Sequence, residues 1–421
     1  MLLEKIKSLS KENLAATIAI RRHLHAHPEL SYKEFETSKY VQATLQEIGI
    51  PFTVIATTGV LGIIEGKNPS KRVIALRADM DALPILEENN IDYKSTNDGV
   101  MHACGHDVHT SSLLTTAKIL SGLKFEFEGT IKLIFQPGEE KHPGGASILI
   151  KDGVLENPRP HAIIGQHVFP VMSAGKAGFR SGKYMASSDE IRLVVKGKGG
   201  HASTPDLNID PVLIAAHIIV ALQQVISRNA SPKQPTVLSF GKVIANGATN
   251  VIPDEVNLEG TFRALDENWR KSGLEKITRI ATGVAESMGA ACEVNISHGY
   301  PTLHNSPALT ERLRNAAAEY LGQQQVEEID LTLGSEDFAY YSQEIPATFY
   351  RLGTRNETKG ITSYVHTPTF DIAGTLNLAS TANFVGGDLV LNQGTLANNA
   401  DSLLSGFFKQ QAGGGLLLDG N

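Results

Sequence analysis

The chain has 421 residues, of which 41% are hydrophobic and 20% charged, and its formal net charge is −7. These are globular values, and the length calls for about two or three domains. The acidic balance and the absence of a basic stripe argue against nucleic acid as a partner, and no apolar run reads as long enough for a membrane span.

In chain order, residues 1–20 form a mixed amphipathic stretch holding Lys5, Lys7, Lys11 and Glu12. It does not read as a secretory signal, and Arg21-Arg22 lacks the apolar run of a twin-arginine signal. A cytoplasmic protein with Cys104 and Cys292 as free thiols is expected. Helical spacing over residues 10–24 and 34–48 flanks His25-Ala-His-Pro-Glu-Leu30. Pro28 ends the first helix there, and Glu29 is a candidate cap for the next turn. His23, His25 and His27 are two apart, so on a helix they point to different faces and read as structural.

Residues 60–65, 72–77, 130–136 and 162–168 read as strands. Helical runs at about 105–121 and 145–151 alternate with them, which predicts an α/β fold with a largely parallel sheet. Asp79, Asp81, Glu139, Glu140 and His167 fall just after these strands, where the ligand crevice of an open α/β sheet lies. Residues 188–298 then read β-α-β-β-α-β, a compact two-layer unit inserted into the first domain. From Gly299 the α/β character returns, with a helix at about 307–321, a capped turn at Gly334-Ser-Glu-Asp-Phe338 and a strand at 347–352. Residues 373–421 hold only four charged side chains, Asp388, Asp401, Lys409 and Asp419. Within that tail 375–378 and 388–392 alternate like strands.

The chemistry gathers around Met101-His-Ala-Cys-Gly-His-Asp-Val-His-Thr110. Cys104 and His106 flank Gly105 in a tight turn, and soft sulfur with imidazole favours zinc or a neighbouring first-row metal. In Phe135-Gln-Pro-Gly-Glu-Glu140 the two carboxylates follow a glycine, so one can bind metal while the other holds a water as general base. Asp79 and Asp81 share one face of extended backbone, and one of them can orient a ligand imidazole. His167, closing an apolar run, and His366, in a turn-rich loop, are further candidates.

Together these segments resemble the amidohydrolase branch of the aminoacylase, hippurate hydrolase and auxin-conjugate (IAA-amino acid) hydrolase metallopeptidase family. The likeness rests on Arg22-His-Leu-His-Ala-His-Pro-Glu-Leu30, Leu76-Arg-Ala-Asp-Met-Asp-Ala-Leu-Pro84, Met101–Asp107 and Phe135–Glu140. It continues through Gly199-Gly-His-Ala-Ser203, Ala248-Thr-Asn-Val-Ile-Pro253, Gly260-Thr-Phe-Arg263, Gly334–Phe338 and His366-Thr-Pro-Thr-Phe-Asp371, in family order across about residues 10–372.

The resemblance implies two divalent metal ions per subunit (Zn, Mn, Co or Ni) held by Cys104, His106, Glu140, His167 and His366, with Glu139 as general base. It makes either Asp79 or Asp81 the catalytic-site aspartate; the related His-x-Asp pattern favours Asp81, and both stay open. It reads the insertion as a ferredoxin-like lid and dimerisation domain, and the protein as a homodimer or higher homo-oligomer. His201 then polarises the scissile carbonyl, while Asn250 and Arg263 hold the substrate carboxylate. The expected domains are 1–183 and 299–372 (catalytic), 184–298 (lid) and 373–421 (an atypical tail). The expected activity is metal-dependent cleavage of N-acyl-L-amino acids bearing acetyl, benzoyl or aryl-acyl groups. A dinuclear metallo-dipeptidase or carboxypeptidase is the alternative, with a non-catalytic metal-binding relative behind it. One departure stands out: after Asp371 the low-charge tail replaces the acidic residues and C-terminal helix with which the family continues.

Overall fold

The computed structural model describes residues 2–372 and two short tail segments, Lys409–Gln411 and Gly415–Leu417, which pair antiparallel. The strand-like stretches 375–378 and 388–392 lie outside the described residues. The chain divides into two compact units: Met1–Gly182 with His304–Asp330 and Tyr340–Asn421, and Lys183–Leu303 with Leu331–Ala339. The expected insertion, 184–298, falls within the second unit, which also takes the Gly334–Phe338 turn.

The first unit is built on one eight-stranded mixed sheet. Its strands include β1 (Phe52–Ile55), β2 (Gly59–Glu65), β3 (Val73–Asp79), β4 (Thr130–Gln136), β5 (Ala162–Ser173) and β6 (Ala177–Phe179). Their order is β1-β2-β4-β3-β5, then Ala347–Arg355, β6 and Val326–Glu328. The four central strands β4, β3, β5 and Ala347–Arg355 run parallel. Every residue of β3 and β4 is buried, as strands covered on both faces should be. Helices α1 (Leu2–Ala26), α2 (Phe35–Glu47), α3 (His106–Gly122) and α4 (Gly145–Lys151) belong to this unit. One cluster of Val41, Leu45, Leu76, Leu114, Leu133 and Ile164 forms its core. Glu29 does cap α2: its carboxylate accepts from Glu36 N at 3.2 Å and Thr37 N at 2.8 Å.

Two strands outrun the sequence pattern. β3 continues to Asp79 and β5 to Ser173, so Asp79 and His167 lie inside strands and not after them. Aspartate is a poor strand residue on propensity alone, but here its charge is satisfied by an adjacent guanidinium.

In the second unit the strands Asp189–Lys196, Thr236–Ile244, Glu255–Ala264 and Ala291–His298 pair antiparallel throughout, in spatial order second, third, first, fourth. Burial alternates along Asp189–Lys196, and residues of the helices Pro211–Gln224 and Glu267–Ser287 share a core with its inward side chains. Asp210 and Asp266 cap those helices through Val212 N and Trp269 N. Arg270 forks onto the buried Asp189 at 2.8 and 2.7 Å.

The first of these helices corrects one expectation. Extended through a π turn, Pro211–Asn229 spans 19 residues with mean hydropathy 1.5, long and apolar enough by length and composition to cross a membrane. No charge interrupts it before Arg228. Ile214, Ile218, Leu222 and Val225 pack into the core of the unit, while Val212, Leu213 and Val220 are exposed.

Candidate metal centre

Gly105 ends the loop that leads from β3 into α3, with φ at +81°. A Cβ at this position would stand 2.6 Å from Val168 Cγ2, so only glycine brings the turn this close to β5. The turn brings Cys104 and His106 to Asp79 at the end of β3, to Glu140 beyond β4 and to His167 within β5. Cys104 Sγ lies 3.3 Å from His167 Nε2. From the other side, Glu140 Oε1 lies 3.1 Å from His366 Nε2 and 3.9 Å from His106 Nε2.

The donor atoms of Cys104, His106 and His167 lie within 4.8 Å of one another, and so do those of Cys104, Glu140 and His366. All five expected ligands are therefore brought together, as two triads that share the thiol. His366 reaches this place because its backbone N–H donates to Ala103 O at 2.8 Å, with its own φ at +62°. The loop behind it is anchored although the sequence departs from the family just beyond. Phe370 is fully buried, and its carbonyl accepts from Asn89 Nδ2 at 2.9 Å.

The two aspartates separate by their partners. Asp81 Oδ1 faces His106 Nδ1 at 3.1 Å, and its Oδ2 accepts from Ser31 Oγ at 2.7 Å and Glu140 N at 3.0 Å. Asp79 meets Arg77 Nη1 and His109 Nδ1, each at 2.6 Å. Burial would raise the pKa of Asp79, but Arg77, His106 and His109 hold it well below the usual carboxylate range. Asp79, His106 and His109 also cluster tightly enough to suggest a metal, yet the carboxylate is already neutralised by Arg77.

The electrostatics fit a divalent cation. Burial, then the charges of Glu140 and Glu139, push the Cys104 thiol well above its ordinary range. Burial alone would lower His106, but Asp79, Asp81 and Glu140 push it up to about 10. Burial and Arg351 drive His167 far down, into the neutral form that ligates. His106 Nε2 is buried and has no hydrogen-bond partner among the described residues. A thiol, imidazoles and carboxylates holding surplus negative charge around an unsatisfied ring nitrogen are what a cation replaces protons to satisfy. Glu139 is buried one residue from Glu140.

Residues 75–382 match the model of Peptidase family M20/M25/M40. The chain belongs to that family. It is 43% identical over 303 residues to an N-acyl-L-amino acid amidohydrolase of Geobacillus stearothermophilus, covering 72% of this chain and 81% of the relative. To thermostable carboxypeptidase 1 of Saccharolobus solfataricus it is 40% identical over 363 residues, covering 85% and 91%. The solved structure of the Bacillus subtilis YXEP protein, described as a dinuclear metal binding peptidase of the M20 family, matches with a TM-score of 0.78 at 34% identity, covering 91% of this chain and 99% of that one. This M20 protein is thus a hydrolase acting on amide bonds, with a candidate centre of metal-ligand type.

In the second unit of the M20 chain, Gly200–His201 pairs with Val251–Ile252, and Ala202 N donates to Asn250 O at 3.0 Å, so His201 and Asn250 are neighbours. His201 is exposed. Its Nδ1 faces Ser203 Oγ at 2.7 Å and accepts from Ser203 N at 3.2 Å. A backbone N–H can only donate, so Nδ1 is the acceptor and Nε2 carries the hydrogen. Arg263 is half-buried, and its Nη1 donates to Leu333 O at 2.9 Å.

Several supporting residues have partners that the sequence did not reveal. His109 holds both Asp79 and, through Nε2, the Val168 N–H at 3.0 Å. His25 joins Asp107 at 2.8 Å and Glu87 at 3.1 Å, with Arg21 Nε 2.8 Å from Asp107. The structural reading of the His23, His25 and His27 group agrees with that network and with His23 stacked on Tyr40. Cys104 and Cys292 are free thiols.

Proposed function

We propose that this chain hydrolyses the amide bond of N-acyl-L-amino acids carrying acetyl, benzoyl or aryl-acyl groups. The observation that carries the reading is the convergence of Cys104, His106, Glu140, His167 and His366 beside the buried Glu139. These five would hold two divalent ions, Zn, Mn, Co or Ni, which when bound lower the pKa of a coordinated water toward about 7 and act as Lewis acids on a carbonyl. Glu139 takes the proton of the attacking water and returns it to the leaving amine. Asp81 is the catalytic-site aspartate, because it fixes the His106 ring with Nε2 free; Asp79 sits behind, holding His109. His201, with hydrogen on Nε2, donates to the developing oxyanion from its own or a second copy of the chain. Asn250 and Arg263 hold the substrate carboxylate.

The second unit, with its β-α-β-β-α-β order, serves as a ferredoxin-like lid and mediates a homodimer. The free thiols suit a cytoplasmic setting. The carboxypeptidase relative supports the second reading, a dinuclear carboxypeptidase or dipeptidase. Assaying the purified chain on N-acetyl- and N-benzoyl-amino acids against dipeptides with a free amine decides between them. Turnover of the dipeptides alone selects the second reading. Activity that is indifferent to a chelator, with no recovery on adding zinc, manganese, cobalt or nickel, overturns both.

A further inference from the structure

The segment Glu29–Glu34, where the sequence shows a candidate helix cap and the end of a family-like motif, turns three side chains onto the acidic loops of the centre. Ser31 binds Asp81, as described. Glu34 stands at the N-cap of α2, yet its carboxylate makes no capping bond to that helix, and Glu29 does so in its place. Fully buried, Glu34 instead accepts from Gly138 N and Tyr32 N at 2.8 Å on Oε1, and from Thr58 Oγ1 at 2.8 Å on Oε2. Gly138 has φ at +60°, and a Cβ there would fall 2.2 Å from the Tyr32 ring, so ring and glycine are in closest contact. Beyond the two carboxylates, the Tyr32 hydroxyl donates to Lys141 O and accepts from Gly144 N at 3.0 Å. The loop Gly138–Gly144 is therefore clamped at both ends by one short segment. Glu139 and Glu140 lie between the clamps.

We propose that Glu34, assisted by Tyr32, is a positioning residue for amide hydrolysis: it fixes the Gly138 backbone and with it the direction of the Glu139 carboxylate. The inference rests on the proposed role of Glu139. A buried carboxylate is costly unless its oxygens are satisfied, and Glu34 finds its donors not on its own helix but on Gly138 N, Tyr32 N and the Thr58 hydroxyl. Misplacing a catalytic group by about 1 Å can cost on the order of 100-fold in rate. Glutamine preserves the geometry, because its oxygen accepts both N–H groups while its amide donates to the Thr58 hydroxyl. Alanine leaves both N–H groups unsatisfied.

The test compares Glu34→Ala, Glu34→Gln and Tyr32→Phe in the full metal-loaded chain. Glu34→Ala is expected to lose about 10- to 100-fold in kcat, with KM within about threefold and metal content unchanged. Glu34→Gln should keep kcat within about threefold, and Tyr32→Phe should fall between. Hydrogen exchange of the peptide spanning 136–145, and tryptic cleavage after Lys141, should rise in the alanine and phenylalanine variants and not in the glutamine one. This readout needs no substrate, so it survives even if the amidohydrolase reading fails. Equal losses in Glu34→Ala and Glu34→Gln, metal lost in step with activity, or unchanged exchange of the loop would each overturn the inference. Should the alanine variant not fold, Tyr32→Phe with unchanged exchange and kcat overturns it as well.

Discussion

Replacing Asp81 by asparagine tests the centre at its most connected carboxylate. Asp81 accepts on both oxygens: from His106 Nδ1 on one, from Ser31 Oγ and Glu140 N on the other. Asparagine has one oxygen to offer. With that oxygen toward His106, its NH₂ meets the Glu140 N–H, donor against donor. In the flipped orientation the NH₂ faces His106 Nδ1, moves the ring hydrogen to Nε2 and removes the lone pair that faces the other donors. Either way one ligand is misoriented. Partners of this kind are worth 10- to 100-fold in metal affinity or activity, or about 1.4–2.7 kcal/mol. Chelator competition followed by metal analysis reads the affinity, with activity measured at graded metal concentration. Asp79→Asn, whose oxygens face Arg77 and His109, should weaken metal binding less. Wild-type metal affinity and kcat in Asp81→Asn would refute the assignment, as would a larger metal loss in Asp79→Asn.

Glu139→Ala should lower kcat by about 10²- to 10⁴-fold while the chain keeps its full metal content; loss of metal instead would move Glu139 into the ligand set. Gly105→Ala combines a left-handed φ with a methyl 2.6 Å from Val168, and should lower Tm, with partial recovery on adding Val168→Ala. An unchanged Tm would remove the argument for that glycine. Arg270→Ala leaves the buried Asp189 without its guanidinium and should destabilise the second unit by about 3–5 kcal/mol, read by chemical denaturation. Burial and the neighbouring charge of Asp81 raise the Glu34 carboxyl to about 7. Its folded-state pKa lies above the unfolded one, so the stability contributed by its protonated form is present below about pH 4.5 and lost as pH rises through about 7. In chelator-treated protein, Glu34→Gln should therefore gain Tm over the parent at pH 8 and not at pH 4.5; a gap independent of pH would contradict this.

Local chemistry was readable and distant pairing was not. Cys104, His106, Glu139 and Glu140 declare themselves because glycine turns place them within a few residues of one another. The sequence could not separate Asp79 from Asp81, since their alternate spacing would put both on one face of extended backbone; what separates them is Arg77 on one and Ser31 on the other. Glu34 could not be assigned a role, because Gly138, which it holds, is 104 positions away. The strand ends at Asp79 and Ser173 were misplaced because charge pairing and burial override strand propensity. The alternating strands and capped helices of the second unit followed the pattern closely, since one covered face per strand is the simplest periodicity to read.

The bond from His366 N to Ala103 O also sets a timetable. Four of the five donors are synthesised before the second unit begins, and the fifth emerges only after that unit has left the ribosome. Domains fold largely as they emerge, so the first half of the sheet forms around an incomplete donor set. One triad, Cys104 with His106 and His167, is complete at that stage; the other waits for His366. On the proposed ligand set, the place of the second ion is completed only once residue 366 has been made.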